Sequence, residues 1–115
     1  MPRRRTGVLL PLEEAVLEIG LRHLRDGDPD FYGFAMATAL DDATRSLTAH
    51  GTLYKILDRL ERAGLLVSRG EDVDAAEAGR PRRRLYRVTD AAAAALETSR
   101  ALQARTATRP RLATS

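Results

Sequence analysis

Five arginines fall within the eight residues from Arg80 to Arg87, in the stretch GRPRRRLYRVTD. Guanidinium groups at this density bind oxyanions, and their planar forked donors match phosphate best. Leu85, Tyr86 and Val88 are spaced among the charges, which predicts an ordered strand rather than a basic tail. A second polar set, His50, Thr52, Tyr54, Lys55 and Arg59, lies in TAHGTLYKILDRLERAGLL, and Lys55 is the only lysine of the chain. Both sets suit contact with phosphate and polar edges rather than the making of bonds. There is no cysteine, and the two histidines, His23 and His50, are far apart and lack companions at metal-ligand spacing. Ser46, Ser68 and Ser99 have no nucleophile-elbow context, and no glycine-rich phosphate loop is present. The expectation is a binding protein with no catalytic residue, metal or cofactor.

These residues need elements to hold them. Pro11, followed by Glu13 and Glu14, predicts a helix start, and Val16, Leu17, Gly20, Leu21 and Leu24 continue it at helical spacing through residue 25. Gly27 and Pro29 end it. A second helix is predicted over Phe31 to Asp42, with Tyr32, Met36, Ala39 and Leu40 on one side. Gly33 in its interior would cost about 1 kcal/mol relative to alanine, which points to something packing closely there. The third helix is the clearest, Thr48 to about residue 63: Thr48 is its N-cap, and Leu53, Ile56, Leu57 and Leu60 form one buried stripe. Lys55 and Arg59 fall off that stripe, and Gly64 supplies the stop. Leu65 to Arg69 and Arg82 to Thr89 then read as two strands of a hairpin around a charged loop. Thr89 or Asp90 caps a last, alanine-rich helix suited to close packing against another helix, including one from a second copy.

The chain has 115 residues, 43% hydrophobic and only 4% aromatic, enough for one domain with a lean aliphatic core. Net charge is +3 and the isoelectric point near 9.9, which favours an acidic partner, although genome base composition also raises arginine content. The basic start MPRRR is followed by an apolar run that Pro11, Glu13 and Glu14 soon interrupt, unlike a signal peptide. No segment approaches the roughly 20 apolar residues of a membrane span. A soluble cytoplasmic protein is expected, nucleoid-associated when bound to DNA.

The expected fold class is α+β, mostly α: a winged helix-turn-helix with an N-terminal helix and one C-terminal dimerisation helix. Residues 1–7 would be a flexible basic arm, 8–89 the winged helix-turn-helix domain, 90–105 the dimerisation helix and 106–115 a disordered tail. The blocks YGFAMATAL, GTLYKILDRLERAGLL and GRPRRRLYRVTDAA, in that order, resemble the three signature blocks of the PadR family of bacterial transcriptional regulators, and the likeness spans about residues 8–100. His50 stands where many members have proline. A single helix after the wing makes the chain similar to the short members, which dimerise through that helix packed with the first. The resemblance implies a repressor that binds a pseudo-palindromic operator as a homodimer. It also implies release by a small-molecule effector of unknown identity, while the scarcity of aromatics and absence of tryptophan argue against an aromatic drug pocket at the dimer interface.

The residues expected to contact DNA are His50, Thr52, Tyr54, Lys55 and Arg59 on the third helix, Arg80, Arg82, Arg83 and Arg84 on the wing, and Tyr32 on the second helix. Each has a plainer reading. Tyr54 and Tyr32 would pack between helices, His50 would cap its helix, and Arg59 would pair with Asp58 or Glu61. Some wing arginines would balance Glu71, Asp72, Asp74 and Glu77. A rival role for the whole is a protein-interaction module whose basic wing meets an acidic partner.

Overall fold

The computed structural model describes residues 7–45 and 49–114, with side chains as far as residue 105. The elements are α1 (Pro11–Arg25), β1 (Phe31–Tyr32), α2 (Gly33–Thr44), α3 (His50–Arg62), β2 (Leu66–Gly70), α4 (Ala75–Ala78), β3 (Arg84–Val88) and α5 (Ala91–Thr114). Helices α1 to α3 pack on a three-stranded antiparallel sheet of order β1-β3-β2, and α5 returns along α1.

Local chemistry explains the boundaries. Proline stands first in α1, and the Leu10 amide donates to the Glu13 carboxylate at 2.7 Å, satisfying an N–H that the first turn would otherwise leave unpaired. At the end of α3, Gly64 has φ +79°, a left-handed turn that glycine enters without strain. The amides of Gly64 and Leu65 then donate to the carbonyls of Glu61 and Leu60, closing the last turn of the helix. Leu53, Ile56, Leu57 and Leu60 are all buried, as their spacing requires. They meet Val16 and Leu17 of α1, Met36 and Leu40 of α2, and Leu66 and Val88 of the sheet in one core. Gly20 is where α1 comes closest to the sheet: a Cβ there would lie 2.5 Å from Val88 Cγ1. The helix can lie flat on β3 only because that side chain is missing.

The structure corrects several expected boundaries. Phe31 and Tyr32 are strand, not helix, and pair with Tyr86 and Leu85 of β3. Phe31 is 2% exposed and its ring stacks on Tyr86 with centroids 5.9 Å apart, so pairing covers the free edge of β3 and fills the core together. The sheet therefore has three strands where a hairpin of two was expected. Gly33 opens α2 instead of lying inside it. Thr48, expected as the cap of α3, lies outside the described residues; Ala49 holds the cap position and makes no side-chain bond there. The charged loop contains a single helical turn, α4, whose Ala76 amide is capped by Asp74 at 2.9 Å. Helix α5 stays helical through Thr114, past the expected end at residue 105. The expected basic arm, apart from Gly7, lies outside the described residues. Among the described residues no helix is long and apolar enough to cross a membrane.

Candidate nucleic-acid interface

Burying one stripe of α3 fixes what the other side presents. His50, Thr52, Tyr54, Lys55 and Arg59 all lie exposed. Thr52, Lys55 and Arg59 line one side of a groove against Leu10, Pro11 and Leu12 at the start of α1. On its other flank α3 faces the wing, formed by β2, α4 and β3, across a cleft of about 560 Å³. Tyr32, Gly33, Phe34, Ala35 and Tyr54 form one wall, and residues Arg80 to Arg84 the other. The fold thus brings Tyr32, Tyr54 and the four wing arginines around one cavity, with His50 at its margin, where its ring stands edge-on to Phe34 at 6.3 Å.

The four arginines are not equivalent. Arg80 is held inside the wing by Glu71, Nη1 to Oε1 at 2.7 Å and Nη2 to Oε2 at 3.0 Å. The same carboxylate accepts the Arg83 amide at 3.2 Å and the Tyr32 hydroxyl at 3.0 Å, while the Glu71 amide donates to the Arg83 carbonyl at 2.8 Å. One buried carboxylate therefore ties the base of the wing to the start of α2. For Arg80 this is the plainer of its two readings, a wing arginine that balances Glu71, with both terminal nitrogens of its fork on that carboxylate. Arg82, Arg83 and Arg84 stay exposed. The Arg83 guanidinium lies 5.1 Å over the Tyr32 ring, and Arg84 donates to the Ser68 hydroxyl at 3.0 Å. Arg59 also differs from expectation: its partner is Glu13 of α1, at 3.3 Å, and not Asp58 or Glu61. Asp58 pairs instead with Arg62. On the outer face of the sheet Asp30 accepts from both Arg69 and Arg87 at 2.9 Å, and the Arg87 hydrogen bond chiefly holds its carboxyl below the usual range.

Tyr32 and Tyr54 both make contacts within the fold at the start of α2. Tyr32 is half-buried with its hydroxyl committed to Glu71. Tyr54 is 49% exposed, yet its hydroxyl end rests on Gly33, where an added Cβ would lie 2.7 Å from the oxygen. The close packing expected at Gly33 is this contact. Sequence reasoning does not give Phe34 a role, nor Glu71 its place as the anchor of the wing. Phe34 carries a signal in its large aromatic side chain within FYGF. Glu71 is read only as one of several acids that could balance the wing arginines; its bond to Tyr32, 39 residues away, has no local signal.

The Glu71 carboxyl has its pKa lowered from 4.5 to about 2, chiefly by the Arg80 hydrogen bond, with the Arg83 amide and Tyr32 adding to it against the opposing effect of burial. A carboxyl with a depressed folded-state pKa stabilises the fold above its unfolded pKa, and that contribution is lost as it protonates. Wild type is therefore expected to melt above Glu71→Gln at pH 7, the difference closing as pH falls from about 4.5 towards about 2. Thermal melts of both proteins across that range check it; a gap independent of pH would contradict the clamp.

Helices α2 and α3 joined by a short connection, a basic hairpin beyond them and a third strand before them make a winged helix-turn-helix. Residues 21–98 match the model of the transcriptional regulator PadR-like family, and the chain belongs to that family, whose members are transcriptional regulators rather than enzymes. No curated protein sequence matches it. Solved structures confirm the fold. A transcriptional regulator from Clostridium thermocellum is 20% identical over 82% of this chain and 83% of its own, with a TM-score of 0.64. A PadR-like transcriptional regulator from Bacillus cereus is 21% identical, over 90% and 92%, with a TM-score of 0.60. Bacillus subtilis PadR, solved in complex with operator DNA, is 16% identical over 75% of this chain and 45% of its own, with a TM-score of 0.58.

Proposed function

We propose that this regulator is a repressor that binds a pseudo-palindromic operator as a homodimer in the cytoplasm. Helix α3 enters the major groove with Thr52, Tyr54 and Lys55 foremost, and Arg82, Arg83 and Arg84 engage the flanking backbone or minor groove. The observation that carries the reading is that α3, through exposed Tyr54, lines one cleft with the exposed wing arginines, in a fold that buries the opposite stripe of α3 in the core. In a symmetric dimer built through α5 and α1, two such helices meet successive major grooves about 34 Å apart. Phosphate neutralisation supplies most of the affinity and α3 the choice of sequence.

Fluorescence anisotropy tests it, using the DNA upstream of the chain's own gene and a shuffled duplex across a salt series, with sedimentation for the dimer. About ten-fold or greater preference for the native duplex, with affinity falling steeply in salt, is the expected result. Equal and salt-insensitive binding to both would sink it. Lys55 lies off the buried stripe and has no role in the core, so Lys55→Ala is expected to keep the wild-type melting temperature. It should lower the slope of log affinity against log salt by about 0.9 for each phosphate that the lysine neutralises.

A further inference from the structure

Phe34 is 70% exposed, more than any other large hydrophobic residue among those described. It occupies the second position of α2, and the core is complete without it, Phe31, Met36 and Leu40 filling that region. Single exposed apolar side chains are common on proteins and by themselves signify nothing. This one forms part of a cleft wall, beside Tyr54, and the opposite wall carries Arg82, Arg83 and Arg84. What fills such a cleft must be anionic along one edge and apolar along the other. A DNA strand has this composition: phosphate oxygens outward, and the C–H faces of deoxyribose between them.

We propose that the cleft holds one strand of the duplex where it passes from the groove taken by α3 to the groove taken by the wing. There Phe34 packs on a deoxyribose while the exposed wing arginines meet the adjoining phosphates. The inference rests on the DNA-binding reading above and adds to it an apolar contact that the charge pattern does not reveal. The His50 ring, edge-on to Phe34, braces it from the start of α3. A sugar contact holds the protein in register but reads no base, so Phe34 contributes to affinity for every sequence alike. It also carries no charge and releases no counterion. These two properties separate it from both α3 and the arginines.

The test uses the full chain and its Phe34→Ala and Phe34→Leu variants in the same anisotropy titrations, on native upstream and shuffled duplexes, with thermal melts as a check of folding. For Phe34→Ala the expected result is a loss of about 5- to 20-fold on both duplexes, scaled from the apolar surface removed. The salt slope and melting temperature should match wild type, and Phe34→Leu should recover most of the loss. Wild-type affinity in the alanine variant would overturn the proposal. A loss confined to the native duplex, reproduced in wild type by replacing thymine with uracil, would overturn it in favour of a thymine-methyl contact. Wild type that binds neither duplex would overturn the DNA-binding reading itself, an outcome distinct from either of the others.

Discussion

Replacing Arg82, Arg83 and Arg84 together by alanine is expected to weaken DNA binding by two to three orders of magnitude for each half-site at about 0.1 M salt, and so by about five orders for a dimer on both half-sites. Each arginine that neutralises a phosphate releases counterions and adds about 0.9 to the slope of log affinity against log salt. Three such contacts amount to a slope near 2.7 for each half-site, which at about 0.1 M salt corresponds to roughly 500-fold. The three are exposed on one wall of the cleft, so removing them leaves the core intact and the melting temperature close to wild type. Two comparisons make the result specific. Arg69→Ala with Arg87→Ala removes two cations from the same wing, but these are paired to Asp30 on the outer face of the sheet. That double variant should shift affinity little. Arg80→Ala removes the partner of Glu71 and should lower stability before it lowers the salt slope. A triple variant with wild-type affinity and slope would remove the wing from the interface.

This division among the arginines shows where the sequence stops being informative. Periodicity alone determines which side of α3 is buried, because Leu53, Ile56, Leu57 and Leu60 can share a face in only one way. The same holds for the exposure of Lys55 and Tyr54, and for the end of α3 at Gly64. These are local constraints, satisfied within a few residues. By contrast, β1 depends on Phe31 finding Tyr86 and Tyr32 finding Leu85, more than fifty positions away. Taken locally, FYGFAMATAL is equally a helix from its first residue. Arg59 pairs across 46 positions with Glu13, so its nearer neighbours Asp58 and Glu61 are the wrong candidates. Within GRPRRR nothing local distinguishes Arg80 from Arg82; only the fold, by burying Glu71 beneath the wing, commits one and leaves the other exposed. Composition predicts a phosphate-binding surface, and tertiary pairing decides which of its arginines stay exposed.

The other large effect is structural and reaches DNA only through α3. Leu57 is fully buried at the middle of the α3 stripe, within the core shared by α1, α2 and the sheet. Leu57→Ala removes its transfer free energy and leaves a cavity that the surrounding β-branched and leucine side chains fill only in part, a combined cost of about 3 to 5 kcal/mol. Domains of this size have about 5 to 15 kcal/mol in total, so about a fifth or more of the stability goes. At roughly 4 °C per kcal/mol, the melting temperature should fall by about 12 to 20 °C. Calorimetry or circular dichroism melts measure this directly. Binding assayed well below the new melting point should stay near wild type, with its salt slope unchanged, and should collapse on warming through the transition. Lys55→Ala, two residues earlier on the opposite side of the helix, should show the converse: intact melting and weakened binding at every temperature. The two variants separate the buried side of α3, which positions the helix, from the exposed side, to which the proposal assigns recognition. A Leu57→Ala protein that melts like wild type would mean that the stripe is not what holds α3 in place.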